Sequence, residues 1–204
     1  MQKILYIHGF ASTGQTSKVD HLKAMTGVEV IAPNLSHDPI KDITMLQSIV
    51  RTENITTVVG SSLGGFYALF LAQRFDLGLV LINPALRPYD TLFNRIGEVA
   101  IYGTDTTFSW TLAKCDELCM LSNTTELALS PHYSSVDWAK ALVLIAEKDE
   151  LLNVPEMMMA FPKHNVRVDD KADHRFADIM PWKDDILSVV NAKSSPIVPE
   201  SVLK

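Results

Sequence analysis

The sequence predicts an α/β protein with a doubly wound, mostly parallel six-stranded sheet, and the distribution of its apolar residues is the main reason. Apolar runs rich in Ile, Val and Leu recur at residues 4–7, 28–31, 55–59, 77–82, 141–146 and 166–168. These runs are nearly continuous instead of alternating with polar residues, which is typical of strands buried on both faces. Helical signals separate most of the runs, and this alternation favours right-handed βαβ units.

The helical stretches carry start signals that place several of them. Asp38 and Pro39 supply an N-cap and a first-turn proline for a helix that ends near residue 51. A strongly apolar helix is predicted over residues 66–74. The remaining helices are predicted over 17–25, from Pro155 onward, and from 181 to about 190.

One connection is much longer than the others and runs from residue 85 to 137. It contains no convincing buried strand, only short helical or loop pieces at 89–95, 109–121 and 125–129. Connections of more than about 15 residues are usually functional in a compact domain, so we expect a helical, cap-like insertion, with a plain surface insertion as the alternative. The rest predicts a single domain over residues 1–191 and a loosely held tail over 192–204.

Composition excludes several classes of function. The chain has 204 residues, 47% of them apolar, and its 18 basic and 24 acidic residues give a net charge of -6. The basic residues are scattered, which argues against nucleic acid as a partner. No apolar run reaches the ~18 residues of a membrane span, and no signal peptide is evident, so we expect a cytoplasmic protein. The oligomeric state stays open.

The two cysteines do not suggest a metal site. Cys115 and Cys119 lie four residues apart in a stretch that we expect to be helical. A disulfide within one helix would be strained, and two thiols without paired histidines do not form a zinc site. We therefore predict two reduced structural thiols and no metal.

The main chemical signal is the segment Gly60-Ser61-Ser62-Leu63-Gly64, which joins a predicted strand to a predicted helix. In a G-x-S-x-G turn of this kind, a sharp strand-to-helix bend exposes the central serine. Ser62 is therefore the predicted nucleophile, because Ser61 does not hold the central position. The alternative is a glycine-rich turn with an incidental serine. A phosphate-binding loop is excluded because no Gly-Lys-Ser/Thr follows.

A second motif, His8-Gly9-Phe10, follows the first predicted strand. Acyl transfer requires backbone N–H groups directed at the oxygen that becomes negatively charged. The residue after the nucleophile and the loop after an early strand supply these groups in this architecture, so Leu63 and Phe10 are the predicted oxyanion hole. We expect His8 to hold its loop through hydrogen bonds, because the general base should lie on a different loop.

A serine nucleophile needs a histidine base and a carboxylate that orients it, and in this fold the order along the chain is Ser, acid, His. Asp149 follows the strand predicted at 141–146 and is the preferred acid, with Glu147 and Glu150 as rivals. His174 follows the strand predicted at 166–168 and is the preferred base. The other histidines lie on the wrong side of a strand, on a helix or before the acid; they are His164, His21, His37 and His132.

These motifs resemble those of the small bacterial esterases of the YqiA/YcfP type, a branch of the α/β-hydrolase superfamily. The segments that carry the resemblance are ILYIHGFAS (4–12), GSSLGGFYA (60–68), NPA (83–85), DELL (149–152) and HRF (174–176). The resemblance implies a sheet without the two leading strands of larger hydrolases, in the order 2-1-3-4-5-6. It also implies cytoplasmic esterase activity on short acyl esters. One departure is that we expect a glycine near Lys148, where this chain has Glu147 and Lys148.

The predicted function is hydrolysis of short to medium acyl esters through an acyl-enzyme on Ser62, with His174 as base and Asp149 as its orienting acid. A small-molecule ester is the expected partner, and neither a metal nor an organic cofactor is needed. A thioesterase or an acyltransferase would use the same residues. A non-catalytic binding protein with this fold is a further alternative, but a pure binder would have no need of the base and the acid.

Overall fold

The computed structural model describes residues 1–123 and 136–192. Its main sheet has six parallel strands in the described ranges, which are β1 (Lys3–Ile7), β2 (Glu29–Ile31), β3 (Ile55–Ser61), β4 (Gly78–Ile82), β7 (Ala141–Lys148) and β8 (Val166–Asp173). They lie in the order β2-β1-β3-β4-β7-β8, and each neighbouring pair is parallel. The predicted fold class and the strand order implied by the resemblance are both confirmed.

Helices cover both faces of the sheet, which explains why the central strands are apolar along their whole length. The helices of the described chain are α1 (Ser17–Thr26), α2 (Pro39–Thr52), α3 (Leu63–Ala72), α4 (Pro88–Thr91), α5 (Leu112–Asn123), α6 (Val154–Ala160) and α7 (Lys183–Val190). Leu46 of α2 and Phe66 of α3 are buried in the core on one face. Leu22 of α1 and Ile186 of α7 are buried in the core on the other. A parallel sheet that is covered in this way needs no polar face.

Local signals account for the helix boundaries. Asp38 caps α2 by accepting a hydrogen bond from the N–H of Lys41 at 3.1 Å, and Pro39 is the first helical residue. Asn153 caps α6 in the same way through the N–H of Glu156 at 3.1 Å. The helix α3 begins at Leu63, three residues earlier than predicted, because it starts directly after the serine turn.

The long connection differs from the sequence-based expectation because it contains an antiparallel hairpin as well as helices. The hairpin pairs β5 (Gly97–Ala100) with β6 (Thr107–Trp110). Residues 109 and 110, which begin the piece predicted as helix or loop at 109–121, are therefore part of a strand. Only Val99 and Trp110 of its residues are buried, which is why no apolar run marks these strands. The helical or loop piece predicted at 125–129 and most of the predicted tail lie outside the described residues.

The hairpin packs against the loop that follows β1. The ring of Phe10 lies edge-on to Phe108 and Trp110, with ring centroids 5.4 and 4.9 Å apart, and His37 stacks on Phe108 at 3.9 Å. The N–H of Tyr102 donates to the Ala11 carbonyl at 2.8 Å. The insertion therefore contacts the segment on which the predicted oxyanion donor Phe10 lies.

Burial of the His37 imidazole leads us to expect that the folded state loses stability in acid. His37 is only 3% exposed, and neither ring nitrogen has a hydrogen-bond partner among the described residues. Burial, with the nearby His8 and Lys114, lowers its pKa to about 4. An unfolded histidine titrates near pH 6.5, so the unfolded chain binds the extra proton between about pH 6.5 and pH 4. His37 should therefore lower the free energy of unfolding by about 3 kcal/mol as the pH falls through that window.

Urea unfolding of the protein and of His37→Asn between pH 7.5 and pH 4.5 measures this effect. Asn tolerates the left-handed backbone at this position, where φ is 59°. The variant should lose stability at pH 7.5 because the stacked ring is gone, but its stability should fall less steeply below pH 6.5. Identical slopes for the two proteins would contradict the prediction.

Candidate active site

Ser62 lies in a sharp turn between β3, which ends at Ser61, and α3, which begins at Leu63. Its backbone has φ 54° and ψ -120°, a region that non-glycine residues rarely adopt. A side chain on Gly60 would collide with the Gly64 carbonyl, and one on Gly64 would collide with the Ile7 carbonyl. The two glycines are therefore required by the close approach of β1, β3 and α3, and the strained residue between them is the serine.

The structure brings the predicted nucleophile, base and acid together in one hydrogen-bonded chain. The His174 Nε2 atom lies 3.1 Å from Ser62 Oγ, and the Nδ1 atom of the same ring lies 2.8 Å from Asp149 Oδ2. The serine and the histidine are 112 positions apart in the sequence. In this geometry Nδ1–H donates to the carboxylate, which leaves Nε2 free to accept the serine proton.

The environment of Asp149 keeps it ionised. Its carboxylate is fully shielded from solvent, and its Oδ1 atom accepts hydrogen bonds from the N–H groups of Leu151 and Leu152 at 2.9 and 2.8 Å. Burial raises the pKa of Asp149, but the hydrogen bonds from His174, Leu151 and Leu152 outweigh burial and hold that pKa below its ordinary value. The carboxylate is thus available as a fixed acceptor for the imidazole.

The two rival carboxylates occupy different places. Glu147 is exposed and lies within β7, which extends two residues further than predicted. The side chain of Glu150 contacts the backbone of His174 and not its ring, because Oε2 of Glu150 accepts the N–H of His174 at 3.0 Å. No glycine is required near Lys148, since Glu147 and Lys148 continue the strand and neither has a positive φ. Of the three carboxylates, only Asp149 contacts the ring of His174.

The backbone groups predicted to bind an oxyanion belong to two segments next to Ser62. Leu63 is the first residue of α3, so its N–H has no acceptor within the helix. Phe10 follows Gly9, and a methyl group on Gly9 would lie 3.2 Å from the Cβ atom of Ser62. The loop that carries the Phe10 N–H therefore passes directly beside the serine.

The other histidines of the described residues form no hydrogen bond with these three side chains. His8 is fully buried; its Nε2 accepts the Leu35 N–H at 2.9 Å, and its Nδ1 lies 2.8 Å from the Gly9 carbonyl. These contacts hold its loop in place, as expected. His21 is on α1, His164 is in the short 3-10 helix before β8, and His132 lies outside the described residues. Among the described residues no cluster of His, Cys, Asp or Glu is suited to hold a metal, and both cysteines are free on α5.

Asn83 is a site residue that the sequence analysis did not single out for a role. Its side chain is fully buried at the end of β4, where its Oδ1 accepts the Ala146 N–H at 2.7 Å. Its Nδ2 donates to the carbonyls of Asp173 and His174 at 3.2 and 3.1 Å. One amide thus connects three strand ends and positions the backbone of His174. The signal available in the sequence was a polar Asn directly after the apolar run at 77–82.

Asn83→Asp should lower both stability and activity. The carboxylate can still accept the Ala146 N–H, but it cannot donate to the two carbonyls. The His174 carbonyl loses this donor, the Asp173 carbonyl keeps the N–H of Phe176 at 3.1 Å, and both carbonyls then face a negative charge. We expect the free energy of unfolding to fall by about 3 kcal/mol and ester turnover to fall by about tenfold or more. Urea unfolding and kcat/KM measure the two effects. Asn191→Asp is the matched control, because Asn191 is exposed. Equal stability and turnover of the two variants would contradict the role assigned to Asn83.

The sheet order, the serine turn and the position of the three side chains at the carboxyl ends of strands define an α/β-hydrolase fold. Residues 3–191 match the family model described as an uncharacterised protein family, UPF0227. The chain therefore belongs to the UPF0227 family. It is similar to the UPF0227 protein YcfP of Salmonella gallinarum, with 24% identity over 189 residues that cover 87% of this chain and 93% of the relative.

Solved structures with the same fold are more distant in sequence. One has a description that names two metagenome-derived lipolytic enzymes, LipS and LipT. It matches with a TM-score of 0.65 and 15% sequence identity, and the match covers 93% of each chain. Another is Est1E from Butyrivibrio proteoclasticus, with a TM-score of 0.60, 15% identity, and coverage of 93% of this chain and 88% of that chain. At this level of identity the likeness establishes the fold.

Proposed function

We propose that this protein is a serine esterase that hydrolyses short to medium acyl esters of small molecules. The observation that carries the proposal is the continuous hydrogen-bonded chain from Ser62 Oγ through the His174 imidazole to Asp149. A buried carboxylate held ionised behind an imidazole can stabilise the imidazolium that forms when the ring takes the serine proton. The names of the structural neighbours, which include lipolytic enzymes, support a hydrolase.

The proposed mechanism is a two-step acyl transfer. Ser62 Oγ attacks the ester carbonyl while His174 Nε2 takes its proton, and Asp149 stabilises the imidazolium that forms. The N–H groups of Phe10 and Leu63 stabilise the oxyanion. The alcohol leaves with the proton from His174, and water then repeats the sequence on the acyl-enzyme. Every step uses groups of this chain and needs no cofactor.

Residues 85–137 form a cap in this proposal, within a single domain that spans residues 1–191. The contacts of Phe10 with Phe108 and Trp110 support a cap, because they join the hairpin to the loop that carries the oxyanion donor. Among the described residues, no helix has both the length and the apolar character of a membrane span. The cytoplasmic location stays a prediction.

A panel of acyl esters and thioesters of graded chain length, with Ser62→Ala as the blank, tests the function. We expect turnover of short to medium esters by the protein and none above background by the variant. Faster turnover of coenzyme A thioesters would favour the thioesterase or acyltransferase alternative. Equal background for both proteins on every substrate would contradict an enzyme of this class.

A further inference from the structure

The loop after His174 is held by side chains of α1. This loop runs from the end of β8 to the short 3-10 helix Met180–Trp182 and contains no helix or strand of its own. Lys18 Nζ donates to the Arg175 carbonyl at 2.6 Å, and Ser17 Oγ donates to the Ala177 carbonyl at 2.8 Å. The carbonyl that Lys18 binds belongs to the residue directly after the proposed base.

Lys18 is an unusual residue for this task because its side chain is buried, with 8% of the residue exposed. No described carboxylate forms an ion pair with it; Asp173 attracts the ammonium from a greater distance, and the guanidinium of Arg175 repels it. Taking an ammonium out of water against a neutral carbonyl costs free energy that one hydrogen bond does not fully offset. A buried charge of this kind is poorly explained by stability.

We propose that Lys18 is a positioning residue, which fixes the backbone beside His174 so that the imidazole reaches Ser62 and Asp149 at the same time. The inference rests on the proposed esterase function. Two distances have to be met together, 3.1 Å on the serine side and 2.8 Å on the aspartate side. A shift of about 1 Å at such a site can cost a hundredfold in rate. Asn83 holds the loop at residues 173 and 174, and Lys18 holds it one residue further on.

The charge of Lys18 gives this role a pH signature. Burial and the repulsion by Arg175 lower the pKa of Lys18 to about 8, and Asp173 opposes them only in part. The ammonium is therefore present below about pH 8 and is lost above it, which weakens the hydrogen bond to the Arg175 carbonyl. The imidazole of His21 and the carboxylate of Asp178 also lie where α1 meets this loop, with Nδ1 and Oδ1 3.6 Å apart. Activity should fall on the alkaline side as Lys18 loses its proton.

Four proteins test the proposal: the natural chain, Lys18→Met, Lys18→Arg and Lys23→Met. Lys23 is exposed on the same helix and is the matched control. The readouts are kcat/KM for a short acyl ester between pH 6.5 and 9.5, the rate of labelling by a fluorophosphonate, and Tm. We expect Lys18→Met to lower kcat/KM about ten- to a hundredfold at pH 7.5 with an unchanged or higher Tm. Lys23→Met should match the natural chain.

The arginine variant separates a charge effect from a packing effect. Arginine keeps its charge at every pH used, so Lys18→Arg should retain activity at pH 9.5, where the natural chain has lost most of its own. The proposal is overturned if Lys18→Met stays within twofold of the natural chain, or if the alkaline loss is the same in Lys18→Arg. If Lys18→Met does not fold, the natural chain and Lys18→Arg still decide the question. A natural chain that neither hydrolyses nor labels would overturn the proposed function and this inference with it.

Discussion

Replacing Ser62 with Ala is expected to lower kcat for ester hydrolysis on the order of a million-fold. The loss is this large because the hydroxyl forms the covalent intermediate and no neighbouring group replaces it. His174→Ala should have an effect of the same order, since the serine then has no acceptor for its proton at 3.1 Å. Steady-state rates on a short acyl ester, with the urea unfolding midpoint as a check on folding, measure both.

The double variant is the sharper part of this experiment. Serine and histidine act as a unit, so removing both should cost little more than removing either one. Ser61→Ala is the matched control, because Ser61 is the adjacent serine, ends β3 and does not contact His174. We expect Ser61→Ala to retain activity within about tenfold. Losses that multiply in the double variant, or a Ser61 variant as inactive as Ser62→Ala, would contradict the assignment.

Asp149→Asn is expected to lower kcat about ten-thousandfold while leaving the fold intact. The asparagine can keep one acceptor oxygen for the N–H groups of Leu151 and Leu152, so the turn should persist. It cannot stabilise the imidazolium, and it favours the wrong tautomer of His174. The measurement is kcat beside the urea unfolding midpoint, which should change far less than the rate.

The rival acids provide the controls for this variant. Glu147→Gln should be silent, because Glu147 is exposed on β7. Glu150→Gln should have a small effect, because its amide oxygen can still accept the N–H of His174. If either glutamate variant lost as much activity as Asp149→Asn, the acid would be misassigned. If all three were fully active, the histidine would not need an orienting carboxylate at all.

The features that the sequence predicted correctly are those that leave a local pattern. Strands buried on both faces must be apolar throughout, so the apolar runs marked the six strands, and the stretches between them marked the helices. The serine turn was visible because β1 and α3 leave no space for a side chain at Gly60 and Gly64. Composition and spacing carry this information without any knowledge of distant contacts.

The features that were missed depend on contacts between distant residues. The hairpin of β5 and β6 is mostly exposed, so it has no apolar run, and it packs against the loop at Phe10. In the sequence Lys18 is an ordinary helical lysine, because its contact is with Arg175, which is distant along the chain and adjacent only in the packed fold. The sequence favoured Asp149 but left Glu147 and Glu150 as rivals, because the direction of neighbouring carboxylates depends on where β7 ends, and β7 extends further than its apolar run.

Covalent labelling with a fluorophosphonate, followed by mass spectrometry of the peptides, tests the central claim most directly. The probe reacts with a serine that an adjacent base activates. The account predicts one adduct on the folded protein, located on Ser62, which is absent from Ser62→Ala and forms far more slowly on His174→Ala. An adduct on Ser61, or a folded protein that stays unmodified at Ser62, would contradict it.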